Sequence, residues 1–125
     1  EYMRAMQISG QMARFYKLPW RGSNANASNA PDGQAIWESQ NSLFSVLSGH
    51  CGVIFHAAGW VEGGLSASFE KVVMDCEMIQ QWMYYNRPID MCDDELGLDA
   101  MKEVGPNGHF FGCQHTQSRY RNAFY

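Results

Sequence analysis

The stretch HCGVIFHAAGWVEGGLSASFEKVVMD, residues 50–75, decides the fold. It begins with a short apolar run, residues 51–55, which predicts a buried β-strand. The glycine-rich turn that follows carries one imidazole, one indole and one carboxylate: His56, Trp60 and Glu62. An amphipathic helix is predicted to begin near Ser66. A strand, a polar and aromatic loop, and a helix in this order form the unit from which α/β proteins build their sites.

Composition narrows the class of protein. The 125 residues are 46% hydrophobic and 18% charged, which is enough for one domain with a real core. The net charge of −4, without a run of Lys or Arg, argues against nucleic acid and anionic membranes as partners. No stretch is apolar for long enough to span a bilayer, and no secretory signal pattern is present. The four cysteines are irregularly spaced, so we interpret them as free thiols of a cytoplasmic protein.

Both ends of the sequence lie inside apparent helices, at Glu1 and Tyr125. We therefore interpret residues 1–125 as a single domain cut from a longer protein. A fragment exposes apolar faces that its missing parts would cover. We accordingly expect this chain to associate with copies of itself, as a homo-oligomer.

Hydrophobic spacing predicts helices throughout the chain. They cover residues 3–16, 34–48, a segment from a cap at Ser66 or Ser68 to a stop at Arg87-Pro88, residues 91–104 capped by Asp93 or Asp94, and residues 117–125. Asp32 is the predicted cap of the second helix, and Gly49 its C′ residue. In this helix a largely apolar stripe recurs at helical spacing: Ile36, Trp37, Gln40, Leu43, Phe44 and Leu47. The third helix has a predicted buried stripe of Phe69, Val72, Val73, Cys76, Ile79 and Met83.

Two strands are predicted, residues 18–22 and 51–55. Residues 23–33, SNANASNAPDG, are predicted to form a flexible polar loop with nothing to bury, and residues 105–108 a turn. Alternation of strands and helices implies parallel strands with right-handed crossovers. The predicted fold class is therefore α/β, with about two βα units plus C-terminal helices. It fits a portion of a TIM (β/α)8 barrel, which needs about 250 residues.

In such a barrel the loops after the strands face the active site. The two loops here, expected side by side, bring six candidates: Trp20, Arg21, Asp32, His56, Trp60 and Glu62. Glu38 and Glu70, in the early turns of the helices that follow, lie near the same mouth. Indoles close to carboxylates suit a cationic ligand.

The alternative is that these residues are structural. The indoles then cover the rim, the carboxylates cap helices or interact with a helix dipole, and His56 is a hydrogen-bonded polar core residue. Residues 109–115, HFFGCQH, offer side chains that suit zinc, but their spacing matches no common zinc module, so we predict no metal site. Neither a phosphate-binding glycine motif nor a GxSxG nucleophile turn is present.

Several stretches resemble the C-terminal part of the trimethylamine methyltransferase family. They are PDGQAIWES (residues 31–39), LSGHCGVIFHAAGWVEGGLSASFEKVVMDCEM (residues 47–78), EVGPNGHFFGCQHT (residues 103–116) and, fitting too, MARFYKLPWRG (residues 12–22). The resemblance covers nearly the whole chain in the right order. It implies a C-terminal fragment of a (β/α)8 barrel enzyme that transfers a methyl group from a methylated amine to a Co(I) corrinoid. The corrinoid is held on a separate small protein, so no cofactor is expected on this chain.

The resemblance also bears on the substrate. The founding members carry pyrrolysine just after the Leu-Pro that corresponds to Leu18-Pro19, where this chain has the ordinary residues Trp20-Arg21-Gly22. This favours a quaternary, glycine-betaine-like amine over trimethylamine. The roles we assign from loop position are aromatic contacts for Trp20 and Trp60, charge compensation for Glu62, Glu38 and Asp32, and recognition of a substrate carboxylate for His56 or Arg21. The alternative function is a non-catalytic ligand-binding or assembly module derived from the same barrel.

Overall fold

The computed structural model describes residues 1–123 of the chain. The chain divides into two compact units, Glu1–Tyr85 and Asn86–Tyr125. Every candidate site residue lies in the first unit. The prediction of a single domain stays a prediction, and each unit is treated by itself below.

The first unit mixes helices with short strands. Its elements are α1 (Tyr2–Tyr16), β1 (Arg21–Ser23), α2 (Gly33–Ser48), β2 (Val53–Phe55), β3 (Trp60–Val61), β4 (Ser66–Ala67) and α3 (Phe69–Tyr85). Strands β1 and β2 pair in parallel, with Arg21 opposite Val53 and Ser23 opposite Phe55, and α2 connects them. This confirms an α/β arrangement with parallel strands, although the first strand begins three residues later than predicted. That the two βα units belong to a TIM barrel stays a prediction.

The predicted burial of residues 51–55 is wrong. In the described residues β2 pairs with β1 alone, and the side chains of Val53 and Phe55 are 53% and 49% exposed. A small antiparallel pair, β3 with β4, was not predicted from the sequence. It encloses a single 3-10 turn, Glu62–Gly64, and places Trp60 opposite Ala67.

The buried face of α2 combines three serines with three apolar residues. It consists of Ala35, Ser39, Ser42, Leu43, Ser45 and Val46. Of the predicted apolar stripe only Leu43 belongs to it, and Trp37 is 68% exposed. The predicted apolar stripe of α2 is therefore offset by about one residue from the face of the helix that is buried. The backbone of β1 approaches this helix closely at Gly22, where an added Cβ would lie 2.4 Å from Cγ1 of Val46.

The asparagine-rich segment packs against this face, so the prediction of a flexible loop with nothing to bury is wrong. Asn24, Asn26 and Ser28 are at most 3% exposed. The Asn26 amide donates to the Ala35 carbonyl oxygen at 2.6 Å and to Oγ of Ser39 at 3.3 Å. Buried amide donors need such partners, and here α2 supplies them to Asn26.

The ends of α2 were predicted half correctly. Asp32 caps its start, because Oδ1 accepts the Ala35 backbone N–H at 3.0 Å. Gly49 is not the left-handed residue; its φ is −76°, and His50 takes that conformation with φ +58°. Glycine is required at 49 for space, since an added Cβ would lie 2.9 Å from Cη2 of Trp20.

The predicted buried stripe of α3 is wrong as well. Phe69 and Val73 are 91% and 72% exposed, whereas the buried residues of the helix are Lys71, Asp75 and Met78. The helix begins as predicted, because Ser68 Oγ accepts the Lys71 backbone N–H at 3.2 Å. The inward face of α3 thus carries an ion pair in place of a purely apolar stripe.

The second unit contains three short helices. They are α4 (Asp93–Leu96), α5 (Leu98–Val104) and α6 (Gln114–Arg119), with a 3-10 turn at Phe110–Gly112 before α6. The single helix predicted for residues 91–104 is divided at Gly97, which has φ +67°, and neither predicted aspartate caps it, since the N-cap residue is Cys92.

The turn at residues 105–108 is confirmed, with positive φ at Gly105 and Asn107. The last helix begins earlier than predicted, and the part of the prediction at residues 124–125 lies outside the described residues. None of the helices in residues 1–123 is long and apolar enough to cross a membrane.

Candidate functional site

The loop that follows β1 (the first loop, residues 24–32) and the loop that follows β2 (the second loop, residues 56–64) lie side by side, as predicted. The backbone N–H of Gly63 donates to the Asn26 carbonyl oxygen at 2.8 Å, and that of Glu62 donates to the Ser28 carbonyl oxygen at 2.9 Å. The side chain of Asn24 donates to the Ala57 carbonyl oxygen at 3.0 Å. Backbone hydrogen bonds in both loops therefore fix their separation.

A cavity of about 430 Å³ opens beside the paired loops. Trp37 and Glu38 of α2 line it, together with Trp60 and Gly63 of the second loop. Its other lining residues are Glu1, Tyr2, Met3, Ala25, Asn26, Ala27, Asn41 and Ser42. The cavity thus combines two indole rings with carboxylates on a largely apolar wall, within the size range of small-molecule sites.

Trp60 is held by a second aromatic ring. The His56 imidazole stacks on it with ring centroids 4.0 Å apart and an interplanar angle of 2°. His56 and Glu62 both have positive φ, +52° and +55°, which residues other than glycine adopt at some cost. The loop therefore keeps an unfavourable backbone conformation at His56, one of the two stacked residues, and at Glu62, two residues after Trp60.

Arg21 lies at the outer end of an aromatic row. Its guanidinium carbon is 5.0 Å from the centre of the Phe55 ring, and that ring meets His56 edge-on at 6.2 Å. Two rings consequently separate the positive charge of Arg21 from Trp60. Arg21 is not among the residues that line the cavity.

Glu38 is an ionised carboxylate that braces the first loop. It accepts the backbone N–H groups of Ala27 at 2.7 Å and Ser28 at 3.0 Å, and the side-chain N–H of Gln34 at 2.9 Å. Partial burial acts to raise the pKa of Glu38, but the hydrogen bonds from Gln34 and the two amides outweigh it and hold the pKa below its ordinary value. A negative charge therefore stands at the cavity wall at neutral pH.

Of the predicted site residues only Glu38 and Trp60 line the cavity; His56 and Arg21 lie outside its lining, and so do the four that follow. Trp20 packs against Gly49 at the other end of α2. The Asp32 carboxylate caps α2, and the Ala35 N–H lowers its pKa; the Ser68 hydroxyl, 2.7 Å away, does the same for Glu70. Glu62 contributes its backbone to the loop pairing and exposes its side chain. The structural alternative therefore fits Trp20 and Asp32, as rim packing and as a helix cap.

Behind the loops lies a buried ion pair. The Lys71 ammonium is 2.6 Å from both carboxylate oxygens of Asp75 and 2.6 Å from Oγ of Ser39. Asp75 also accepts the backbone N–H of Gly59 at 2.9 Å. Both charged residues are 0% exposed. Within residues 1–123, no group of three or more His, Cys, Asp or Glu side chains could hold a metal ion.

Comparison with known proteins decides the family. The model of the family described as trimethylamine methyltransferase (MTTB) matches residues 1–125. The chain belongs to the trimethylamine methyltransferase family. The resemblance found in the sequence motifs is therefore confirmed.

Three relatives illustrate the range of this family. Glycine betaine methyltransferase of Desulfitobacterium hafniense is 33% identical over 121 residues, 96% of this chain and 25% of that protein. Proline betaine:corrinoid methyltransferase of Eubacterium limosum is 34% identical, over 88% of this chain and 23% of that protein. Trimethylamine methyltransferase MttB of D. hafniense is 30% identical, over 89% of this chain and 22% of that protein. The chain spans about a quarter of the length of these relatives.

Reasoning from the sequence missed three parts of the site in this methyltransferase family member. Trp37 was noted only for its helical spacing and was not a candidate, although its neighbour Glu38 was. The alternation of polar residues at 24, 26 and 28 is a period-2 signal for one buried polar face, hidden by the composition of the loop. Lys71 and Asp75, at i and i+4, have the spacing of an ion pair, but this spacing is also common on exposed helix faces.

Proposed function

We propose that this chain is the part of a corrinoid-dependent methyltransferase that holds a quaternary, betaine-like amine for methyl transfer. The observation that carries the proposal is the cavity in which Trp37 and Trp60 stand beside the ionised Glu38. The family membership and the names of the betaine relatives support the same reaction class.

The cavity suits the chemistry of a quaternary ammonium. Such a nitrogen carries no hydrogen, so it cannot donate a hydrogen bond and must be held by aromatic faces and negative charge. An indole is the aromatic side chain that attracts cations most strongly. Because hydrogen bonds keep Glu38 ionised, its charge is available to compensate the ligand without a proton transfer.

The reaction needs orientation more than acid–base chemistry. The Co(I) corrinoid of the partner protein is the acceptor substrate, and its cobalt supplies the electron pair for the new bond to the methyl carbon. The electron pair of the broken C–N bond stays on nitrogen, which leaves a neutral tertiary amine. In this scheme the residues of the chain hold the cation and present one methyl group to the acceptor.

A betaine is favoured over trimethylamine for two reasons. The betaine relatives are 33% and 34% identical, against 30% for the trimethylamine enzyme. The residues after Leu18-Pro19 are also ordinary ones, which by resemblance excludes the pyrrolysine of the founding enzymes. Of the two candidates for a substrate carboxylate, His56 is the better placed, because it stacks directly on Trp60.

The test is methyl transfer by the full-length protein that contains this chain. The purified protein is supplied with cob(I)alamin and glycine betaine, carnitine, choline or trimethylamine, and the loss of cob(I)alamin absorbance is followed. Loss of that absorbance with a betaine, and a much slower loss with trimethylamine, is the expected result. Transfer from trimethylamine alone would overturn the substrate class, and binding of glycine betaine without any transfer would favour the non-catalytic module.

Association with copies of itself stays a prediction for this chain. Sedimentation of the same purified protein at several concentrations tests it directly.

A further inference from the structure

The Lys71–Asp75 pair takes no part in lining the cavity, yet it touches the elements that build it. Asp75 Oδ2 accepts the N–H of Gly59, the residue directly before Trp60. Gly59 has φ +85°, and an added Cβ would lie 2.5 Å from Cγ2 of Val72, so its backbone is packed directly on α3. The start of the strand that carries Trp60 is therefore held to α3 by the Asp75 carboxylate, and to the cap of α3 by the Ser68 N–H, which donates to the Gly59 carbonyl oxygen at 3.0 Å.

The other end of the pair reaches the first loop. The Lys71 ammonium donates to Oγ of Ser39, which in turn receives the Asn26 side-chain amide at 3.3 Å. Asn26 lines the cavity, and its carbonyl oxygen accepts the N–H of Gly63 in the second loop. A continuous row of polar contacts thus runs from Gly59 through the ion pair to Asn26, behind both walls of the cavity.

Such a pair is not explained by stability alone. Taking two charges out of water is costly, and replacing a buried ion pair by apolar side chains of similar volume is often neutral or stabilising. What an apolar pair cannot supply is direction. Hydrogen bonds to Gly59 and Ser39 set the positions of both elements, whereas apolar contact is non-directional.

We propose that Lys71 and Asp75 are the positioning residues of this site. They fix Gly59, and with it the stacked Trp60, relative to Asn26 and α2. The inference rests on the proposed function in one respect: it takes the cavity beside Trp60 as the site that binds the amine.

Two double variants separate positioning from charge. Lys71→Met with Asp75→Asn removes both charges but leaves an oxygen that accepts the Gly59 N–H. Lys71→Met with Asp75→Leu removes both charges and the acceptor. The expected result by NMR-detected amide hydrogen exchange is that Gly59 exchanges about tenfold faster or more in the leucine variant. In the asparagine variant the exchange rate of Gly59 is expected to rise less than about threefold. In each variant the exchange rates of the Glu62 and Gly63 amides are expected to change in the same direction as that of Gly59. Equal exchange at Gly59 in the two variants would overturn the proposal.

The single variant Ser39→Ala provides a second test if the leucine variant does not fold. It leaves the ion pair in place and cuts its contact with Asn26. Exchange of the Gly63 amide, which is bonded to Asn26, is expected to rise about threefold or more. An unchanged Gly63 amide in Ser39→Ala contradicts the connection through the pair.

Calorimetric titration with glycine betaine measures whether the positioning by Lys71 and Asp75 affects the affinity of the site. It compares the purified protein with the two double variants. The leucine variant is expected to bind at least about fivefold more weakly than the asparagine variant, whatever their relative melting temperatures. Equal affinities overturn the role of the pair in the site. If the unmodified protein binds no amine, the proposed function fails, while the exchange experiment still decides the positioning role.

Discussion

Replacing Glu38 by glutamine tests whether one carboxylate both braces the first loop and charges the cavity wall. The side chains have nearly the same size, so the change removes the charge and one acceptor oxygen while keeping the volume. In the native protein the carboxylate accepts the N–H groups of Ala27 at 2.7 Å and Ser28 at 3.0 Å. Both amides donate to the same oxygen, Oε2, while Oε1 accepts the side-chain N–H of Gln34. Glutamine keeps only one of these two oxygens.

The expected cost follows from these bonds. A hydrogen bond to a charged group contributes about 1.5–3 kcal/mol, against about 1 kcal/mol between neutral groups. A glutamine oxygen in the place of Oε2 keeps both amide bonds as weaker neutral ones, whereas Gln34 loses its acceptor at an exposed position that water can reach. We therefore expect the free energy of unfolding to fall by about 1–2 kcal/mol at pH 7.

The pKa of Glu38 gives this loss a pH dependence of known sign. Its pKa is lowered in the folded protein, so the ionised form stabilises the fold above the pKa of the unfolded chain, about 4.3 for glutamate. That contribution is lost as the pH falls through the folded-state pKa. The difference between the native protein and Glu38→Gln is therefore largest at neutral pH and shrinks below about pH 4.5.

Urea unfolding of both proteins between pH 7 and pH 3.5 measures the difference. The control is Glu77→Gln, the same chemical change at an exposed position of α3, with an expected effect within about 0.5 kcal/mol. Equal stability of Glu38→Gln and the native protein at pH 7 would refute the bracing role. A difference that stays constant down to pH 3.5 would refute its electrostatic origin.

Two further predictions use matched pairs of positions. Gly22→Ala is expected to destabilise by about 1–3 kcal/mol because its Cβ would lie 2.4 Å from Val46, whereas Gly33→Ala, with open space at the start of α2, should stabilise by up to about 1 kcal/mol. Urea unfolding that gave both changes the same sign would contradict the close packing of β1 on α2. Trp37→Leu is expected to weaken glycine betaine binding about tenfold, and Trp20→Leu to lower stability without changing affinity. Calorimetry that found equal losses of affinity would remove the distinction between the two indoles.

Local signals in the sequence predicted much of this structure. The caps at Asp32 and Ser68 are determined by side-chain chemistry within a few residues, and both were found. The parallel pairing of β1 and β2 and the convergence of their loops follow from the order of strands and helices alone. These features need no knowledge of which side of a helix packs.

Features that depend on packing were predicted poorly. Hydrophobic periodicity found α2 and α3 correctly but selected the apolar face of each, whereas the faces that pack carry Ser39 and Ser42 in one and Lys71 in the other. Periodicity measures where apolar residues recur, and it cannot indicate that a neighbouring segment supplies hydrogen bonds to a polar face. For the same reason, periodicity identified Trp37 as part of the apolar stripe of α2 and did not indicate that it lines a cavity.

This polar packing also explains how a site can be built in the first unit, where each strand is only two or three residues long. Apolar contacts would hold the segment after β1 against α2 without setting its register, because they are non-directional. The donors of Asn24 and Asn26 have defined acceptors, Ala57 and Ala35, so a slip by one residue would leave buried amides unpaired. The register of the loop, and with it the spacing between the cavity walls at Glu38 and Trp60, is thus set by hydrogen bonds. The hydrogen bonds of the buried asparagines thus explain two things: why the segment is not the flexible loop that was predicted, and why the candidate site lies where it does.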